Sequence, residues 1–270
     1  MESAYSKSVF RPSEIEHRYG PNVHLLDDPL AWTQLARLCA RETGQPQVGR
    51  LVKVLYERLS EVVLAAEFPR TRIDVPTRMV ASSPQAVYRG VAVAAATKAI
   101  TVGIARAGTM PSQVVYDLLN EVLDPAGVRQ DHLFMSRATD EAGRVTGATW
   151  HDAKIGRDVD DRIVLFPDPM GATGSSLISA LTHYKTRLDG KPAKCITMHL
   201  IVTPEYVKNL LAAHPDTIIY ALRIDRGLSA PDVLTTVPGT RWEEERGLDD
   251  HQYIVPGAGG VGELLNNAWV

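Results

Sequence analysis

Residues 162–181, which read RIVLFPDPMGATGSSLISAL, place an apolar strand, Asp168, a turn rich in Gly, Ser and Thr, and a helix start in immediate succession. Backbone N–H groups at such a helix start bind anions, and the helix dipole adds about half a positive charge. In open α/β sheets, ligands bind at the carboxyl edge of the strands, where Asp168 stands. A phosphate on the turn and sugar hydroxyls on the carboxylate describe a phosphorylated ribose.

This turn is neither of the two common nucleotide-binding motifs. No Gly-Lys-Ser/Thr follows a glycine-rich run, and the segment contains no GxGxxG. The alternative is an ordinary strand-to-helix turn with Thr173 or Ser175 as a helix cap. The whole string favours the phosphate site, because Pro169, Gly171 and Gly174 impose an unusual backbone path.

Composition narrows the class of protein. The chain has 270 residues, of which 44% are hydrophobic and 23% are charged, as expected for a globular protein with one large domain. A net charge of −3 argues against nucleic-acid or membrane-surface partners, which require a basic face. No apolar run approaches the roughly 20 residues that span a bilayer, and the first residues lack the apolar core of a signal peptide. We therefore expect a cytoplasmic protein.

The cysteines and histidines predict no metal centre held by protein side chains. Cys39 and Cys195 fall within a predicted helix and a predicted strand, and there is no CxxC motif. The 8 histidines form neither HxxxH nor HExxH. We expect buried, inert thiols.

The first hundred residues predict an arm and a helical region. Residues 1–22 are polar and read as an arm that packs loosely or across a partner subunit. Helices are expected over residues 27–44 and 48–67, the second with apolar side chains at helical spacing. Residues 71–80 alternate like a strand, and the alanine-rich residues 88–98 are compatible with a helix.

The rest of the chain predicts a mostly parallel sheet flanked by helices. Strands alternating with crossover helices are typical of this α/β architecture. Residues 137–155 fit a projecting β-arm, which would serve as a hood or a dimer contact. Short apolar strands are expected at 101–105, 132–137, 162–167, 195–202 and 217–224, and helices at 111–122, 175–187 and 204–213.

Three further segments carry side chains or backbone suited to the same site. Arg106 follows a strand inside GIARAG, where turn N–H groups and a guanidinium can bind a second phosphate group. Arg137 stands where the next strand ends. Residues 253–260, YIVPGAGG, are extended and then glycine-rich, so their backbone can recognise a flat heterocycle. Taken alone, Arg106 is equally compatible with a surface arginine, and the last segment with a C-terminal turn.

Together these motifs resemble the uracil phosphoribosyltransferases, which have the type I phosphoribosyltransferase fold. Order and spacing agree from about His24 to the C-terminus, so residues 23–270 are expected to form one phosphoribosyltransferase domain. The segments DPMGATGSS and YIVPGAG carry most of the specificity. The matching segments are 105–108 (ARAG), 135–137 (Met-x-Arg), 168–176, 212–228 (AAHPDTIIYALRIDRGL) and 253–259.

The resemblance implies transfer of a phosphoribosyl group from phosphoribosyl pyrophosphate (PRPP) to uracil, giving UMP and pyrophosphate. It further implies pyrimidine salvage, Mg²⁺ carried by the pyrophosphate, and a homodimer or higher homo-oligomer. The implied catalytic residues are Arg106 and Arg137, which contact the pyrophosphate, and Asp168, which contacts the ribose. The residues implied to bind the 5′-phosphate are Ala172, Thr173, Gly174, Ser175 and Ser176. Those implied to bind the base are Tyr253, Ile254 and Gly259.

Several positions depart from the family pattern. Gly260 and Glu263 stand where the family usually has aspartates, and Gly171 stands where it usually has leucine. Ser175 replaces a usual glycine, and residues 229–252 form a longer connection than is typical. Because these changes surround the base and leaving-group sites, two alternatives stay open: a phosphoribosyltransferase for another base, and a regulator that binds PRPP or a nucleotide without turnover.

Overall fold

The structure is a computed structural model that describes residues 9–139 and 145–268, with the backbone alone described for 136–139 and 145–148. Within these ranges, eight strands form one sheet and two form a separate hairpin. The strands are β1 (Val23–Leu25), β2 (Arg70–Pro76), β3 (Val87–Val93), β4 (Ala99–Ala105), β5 (Val128–Thr139), β6 (Val145–Lys154), β7 (Ile163–Pro167), β8 (Met170–Gly171), β9 (Lys194–Val202) and β10 (Ile218–Ile224).

The main sheet has the order β1-β10-β9-β7-β4-β5-β6, with β8 beside β9. Every neighbouring pair is parallel except β5 with β6. After β4 the chain moves first to one side of the sheet and then to the other, so β4 and β7 flank a point where the strand order reverses. Ligands bind outside the carboxyl ends of the strands at such a point.

The contact between β4 and β7 is short. Their register covers only the pairs Ala99 with Ile163, Ile100 with Val164, and Thr101 with Leu165. Beyond these pairs each strand continues to its carboxyl end without its neighbour, and a crevice opens between them. Both apolar strands are buried along almost their whole length, as expected for the middle of a sheet covered on both faces.

Helices cover both faces of the sheet. One buried cluster joins the N-terminal helices and α3 (Thr109–Val122) to one face. A second joins α4 (Ser175–Thr186) and α5 (Pro204–Ala213) to the other. This arrangement confirms the predicted fold class, including the N-terminal helices. The helices are α1 (Pro29–Cys39), α2 (Gln47–Glu67), α3 (Thr109–Val122), α4 (Ser175–Thr186), α5 (Pro204–Ala213), α6 (Pro231–Leu234) and α7 (Val261–Asn266). No helix of the described chain combines the length and apolar composition needed to cross a bilayer.

The helix expected over residues 88–98 is wrong. Residues of this segment instead form β3, which pairs antiparallel with β2, Ile73 lying opposite Gly90. The reason is local, since Val87, Tyr88 and Val91 favour a strand and the adjacent β2 satisfies their backbone groups. The alanines that suggested a helix lie mostly at the end of β3 and beyond it.

The connection over residues 229–252 is held by a buried carboxylate. The side chain of Glu245 is 0% exposed and lies 2.7 Å from Nη1 of Arg226, whose side chain is 10% exposed. Tyr19 donates its hydroxyl hydrogen to the other oxygen of Glu245. The backbone N–H of Gly239 donates to the same carboxylate at 2.8 Å. Glu245 therefore joins the segment before β1 to the connection after β10.

Candidate active site

A cavity of about 650 Å³ lies at the carboxyl ends of β4 and β7. It is therefore at the point in the sheet where the topology predicts a ligand. The cavity brings together residues that are far apart in the sequence: of the predicted site residues, Arg106, Asp168, Ala172, Thr173, Gly174, Ser175, Ser176, Tyr253, Ile254 and Gly259 all line it.

The turn before α4 has the properties of an anion site. Gly174 occupies the N-cap position with φ of 86°, and no side-chain hydrogen bond caps this helix. By contrast, Asp28 caps α1 and Thr203 caps α5 through side-chain oxygens. The N–H of Ser175 makes a long, 3.5 Å contact to Oγ1 of Thr173, which is what the alternative interpretation, an ordinary capped turn, retains. The N-cap residue itself supplies no side-chain acceptor, so the N–H groups that follow Ser175 at the start of α4 are suited to bind an anion in the cavity.

Hydrogen bonds fix both the side chain and the backbone of Asp168. Oδ1 accepts a hydrogen bond of 3.1 Å from the N–H of Met170, which holds the carboxylate beside the turn. The backbone N–H donates to the carbonyl of Met198 in the neighbouring strand β9 at 3.1 Å. The carboxylate thus stands at the cavity wall in a defined orientation, suited to accept bonds from sugar hydroxyls.

The side chain of Arg106 is paired with the C-terminal region of the chain. Its Nη2 lies 3.2 Å from Oε1 of Glu263, and its Nη1 donates to the carbonyl of Ala268 at 2.9 Å. The Arg106 and Glu263 side chains are 37% and 29% exposed. A guanidinium in this position can exchange its carboxylate partner for the oxygens of a bound phosphate.

The loop over residues 253–259 reaches the cavity wall through Tyr253, Ile254 and Gly259. Asp225 accepts a 2.8 Å hydrogen bond from the N–H of Gly257, whose φ is 60°. Arg223 donates to both oxygens of Asp225 at 2.6 and 2.8 Å. The N–H of Gly227 donates to the carbonyl of Val255 at 3.0 Å. These contacts give the loop the fixed backbone needed to recognise a flat ring.

Arg137 is the one predicted site residue that is described only in part. Its backbone lies in β5 opposite Ala148, and its side chain is outside what the structure describes. Met135, two residues earlier in the same strand, lines the cavity. The role of Arg137 stays a prediction.

A model of the uracil phosphoribosyltransferase family matches residues 25–241 of the 270-residue chain. The chain belongs to the uracil phosphoribosyltransferase family. This membership confirms the resemblance read from the sequence motifs.

Similarity to members of the uracil phosphoribosyltransferase family extends over most of the chain. A uracil phosphoribosyltransferase of Staphylococcus epidermidis is 30% identical over 246 residues, covering 90% of this chain and 97% of that protein. One from Rhodococcus jostii is 27% identical over 243 residues, with the same coverage. The structure of the AQ2163 protein from Aquifex aeolicus matches 92% of this chain and 99% of that one with a TM-score of 0.69. At 19% identity, the last match supports the fold alone.

Two of the departures from the family are neighbours in space. A Cβ atom at Gly260 would lie only 2.4 Å from Oε2 of Glu263. The carboxylate of Glu263 therefore fills the space that an aspartate side chain at position 260 would need. The glycine at 260 and the glutamate at 263 are compatible with each other, and the cavity keeps one carboxylate beside Arg106.

A polar chain beneath the cavity was missed by the sequence analysis. His199 in β9 is fully buried, and its Nδ1 lies 2.6 Å from the backbone carbonyl of Asp168. Its Nε2 lies 2.6 Å from the hydroxyl of Tyr206, which in turn lies 3.2 Å from Oγ1 of Thr197. Burial lowers the pKa of His199 to about 3, and the bond to Asp168 opposes only part of this effect. The imidazole is therefore neutral at physiological pH.

We expect His199 to make the stability of the protein depend on pH. The folded pKa of about 3 lies below the ordinary value of 6.5, so the unfolded chain takes up a proton first as the pH falls. The contribution of His199 is present above pH 6.5 and is lost as the pH falls towards 3, at about 1.4 kcal/mol per pH unit. Urea unfolding of the wild type and His199→Gln between pH 7 and 4 measures this difference. Parallel pH profiles for the two proteins would contradict it.

Proposed function

We propose that this chain transfers a phosphoribosyl group from PRPP to uracil, giving UMP and pyrophosphate. The observation that carries the proposal is that the phosphate turn, Asp168, Arg106 and the 253–259 loop line one cavity. In the reaction, the bond from ribose C1 to the pyrophosphate oxygen breaks and a bond from C1 to N1 of uracil forms. The electron pair of the broken bond leaves with pyrophosphate, which also takes up the proton that N1 loses.

Each part of the cavity has a role in this reaction. The turn over residues 172–176 binds the 5′-phosphate, and Asp168 accepts hydrogen bonds from the ribose hydroxyls. Arg106 and Arg137 stabilise the negative charge that develops on the departing pyrophosphate. The backbone of Tyr253, Ile254 and Gly259 binds uracil, so that N1 faces C1. The reaction requires no nucleophilic side chain, because the base itself attacks.

Mg²⁺ fits the carboxylate of Asp168 as a partner of the substrate. Mg²⁺ is commonly bound by one or two carboxylates together with substrate phosphates and water. Asp168 lines the cavity and supplies such oxygen atoms. The described part of the chain contains no cluster of three or more His, Cys, Asp or Glu side chains suited to a metal. We propose that Mg²⁺ is carried by the pyrophosphate of PRPP, where it neutralises negative charge.

The proposal extends to the organisation of the chain. In this proposal residues 1–22, of which 1–8 lie outside the described residues, are an N-terminal arm. Residues 23–270 are one phosphoribosyltransferase domain with an extended connection over 229–252. The 137–155 segment, of which 140–144 lie outside the described residues, is the hood that excludes water from the cavity. The protein acts in pyrimidine salvage in the cytoplasm, with small-molecule substrates and neither nucleic acid nor membrane as a partner.

A homodimer or higher homo-oligomer is proposed from the hairpin of β2 and β3. Four large apolar side chains of this hairpin are exposed: Val75, Met79, Val80 and Tyr88. A grouped set of exposed apolar side chains is typical of a protein interface. Sedimentation velocity on the wild type and on a Val75→Lys/Met79→Lys variant tests this, with dissociation of the oligomer as the expected result. A monomeric wild type would refute it.

The function is tested by assaying purified protein with PRPP, Mg²⁺ and a panel of pyrimidine and purine bases. We expect UMP from uracil, and at least tenfold less product from any other base. Thr173→Ala serves as the control of reduced activity. A different preferred base would identify another phosphoribosyltransferase. PRPP binding by calorimetry without any product would identify a regulator, and either result would overturn the proposal.

We expect Asp225→Ala to weaken uracil binding selectively. The substitution removes the acceptor of the Gly257 N–H and so releases the 253–259 loop. The KM for uracil should rise about tenfold, equivalent to ~1.4 kcal/mol, while the KM for PRPP changes less than twofold. Steady-state kinetics with each substrate varied in turn measures this split.

Asp131→Ala is the matched control for Asp225→Ala. Asp131 is paired with Arg129 two residues earlier, as Asp225 is with Arg223, and both carboxylate side chains are 2% exposed. The two substitutions should therefore have similar effects on stability, but Asp131→Ala should leave both KM values unchanged. An equal rise of the uracil KM in the two variants would show that the loop is not held through Asp225.

Glu263→Gln is expected to lower the KM for PRPP. Glu263 competes with the pyrophosphate for Arg106, and a partly exposed pair of this kind is worth up to about 1 kcal/mol. The KM should fall about two- to fivefold. Glu244→Gln removes a charge from an exposed site outside the cavity lining and serves as the control. A rise in KM would show that Glu263 assists PRPP binding rather than competing with it.

A further inference from the structure

Tyr206 lies beneath the phosphate turn and is fully buried. A Cβ atom at Gly171 would lie 3.1 Å from both Cγ and Cδ1 of its ring. A Cβ atom at Gly174 would lie 3.3 Å from Cδ2, on the other edge of the same ring. The turn therefore rests on the ring at two positions, and both positions are glycines.

The arrangement explains why this chain tolerates Gly171 where the family usually has leucine. The ring of Tyr206 and Cγ1 of Val202 occupy the space into which a side chain at 171 would extend, since a Cβ there lies 2.9 Å from Val202. The bulk beneath the turn is supplied by α5 instead of by the turn itself. Gly171 and Tyr206 form a matched pair.

The hydroxyl end of Tyr206 reaches Asp168 through His199. The carbonyl of Asp168 is only an acceptor, so Nδ1 of His199 carries the hydrogen of their 2.6 Å bond. Its Nε2 lies 2.6 Å from the Tyr206 hydroxyl, which also lies 3.2 Å from Oγ1 of Thr197. This chain of contacts ends on the backbone of the acid beside the cavity.

The start of α5 is also tied to the turn by Thr203. Its hydroxyl donates to the carbonyl of Ala172 at 2.8 Å and accepts from the N–H of Tyr206 at 3.0 Å. Its N–H donates to the carbonyl of Gly171 at 3.1 Å. Tyr206, which itself lines part of the cavity, thus holds the turn together with His199 and Thr203.

We propose that Tyr206 is a positioning residue for the phosphoribosyl group, with its ring supporting the phosphate turn and its hydroxyl holding Asp168 through His199. The inference rests on the proposed function, since it assigns the turn and Asp168 to PRPP. It predicts a selective effect on PRPP, because neither contact reaches the 253–259 loop. It also predicts that positions 171 and 206 are energetically coupled.

The first test compares Tyr206→Phe with Tyr184→Phe. Both tyrosines are fully buried, and the hydroxyl of Tyr184 donates to Asp131 at 2.8 Å. Tyr206→Phe should raise the KM for PRPP at least fivefold and leave the KM for uracil within twofold. Tyr184→Phe should change neither. A Tyr206→Phe variant with wild-type KM for PRPP, or with both KM values raised equally, would overturn the role of the hydroxyl.

The second test is a double-mutant cycle over Gly171→Leu and Tyr206→Ala. Each single variant should raise the KM for PRPP at least tenfold, the first by collision with the ring and the second by loss of support. The double variant should have a lower KM than either single variant, because the leucine fills the space left by the ring. Independent effects that multiply in the double variant would overturn the matched pair.

The same variants distinguish failure of this inference from failure of the proposed function. If the wild type forms no UMP, the affinity of the wild type and of each variant for PRPP is measured by calorimetry instead. The affinities should follow the pattern expected for the KM values. Unchanged affinity in every variant overturns the positioning role, whatever the enzyme assay shows. If Tyr206→Ala does not fold, Gly171→Leu still tests the contact between the ring and the turn, and Tyr206→Phe still tests the role of the hydroxyl.

Discussion

Gly174→Ala is expected to lower kcat/KM for PRPP about a hundredfold. The φ of Gly174 is 86°, and a side chain in this region costs ~1–2 kcal/mol unless the backbone turns. A Cβ here would also lie 3.3 Å from the ring of Tyr206 and 3.6 Å from Cδ1 of Ile178. The turn therefore moves, and a displacement of about 1 Å of groups that position a substrate can cost a hundredfold in rate.

Gly20→Ala is the matched control for Gly174→Ala. Gly20 has φ of 108°, and a Cβ there would have no atom within 4 Å. The two variants thus share backbone strain, but only one of them lies in the cavity. We expect similar losses of stability by urea unfolding, with activity retained in Gly20→Ala. Comparable loss of kcat/KM in both variants would show that the effect of Gly174→Ala comes from general destabilisation.

Glu245→Ala is expected to have the largest effect on stability, lowering the free energy of unfolding by about 3–5 kcal/mol. The substitution leaves the buried guanidinium of Arg226 without its carboxylate and removes the acceptor of the Tyr19 hydroxyl. An uncompensated buried charge costs far more than the loss of an exposed pair. Urea unfolding at neutral pH measures the difference.

The adjacent residue supplies the control for Glu245→Ala. Glu244 pairs with Arg241 at the surface, where their side chains are 54% and 33% exposed. Glu244→Ala should therefore cost less than about 1 kcal/mol. If Glu245→Ala is no more destabilising than Glu244→Ala, the buried carboxylate does not join the N-terminal segment to the connection as the structure indicates.

The strand, turn and helix over residues 162–181 could be predicted because each is indicated by a contiguous stretch of sequence. Short apolar strands separated by amphipathic helices define a parallel sheet, and the site then follows from the edge at which the strands end. Asp168 and the 172–176 turn needed no knowledge of distant contacts. The hairpin of β2 and β3 was harder, because strand pairing overrode the helix preference of a few alanines.

The contacts that support the site could not be read from the sequence. The partner of Arg106, Glu263, is 157 residues away, and Tyr19 is 226 residues from Glu245. His199 and Tyr206 belong to a strand and a helix that each look like ordinary core elements. The one signal in the sequence was Gly171, whose missing side chain required some other residue to fill the space beneath the turn.

Because the pairing between β4 and β7 is short, a substrate bound across it would also stabilise the sheet. Three residue pairs join the half of the sheet that carries Arg106 to the half that carries Asp168. Under the proposed function, a PRPP molecule with its pyrophosphate on Arg106 and its ribose on Asp168 would span this junction between the two halves. A ligand that binds only the native state stabilises it, so bound PRPP would add to the three backbone pairs that hold the halves together.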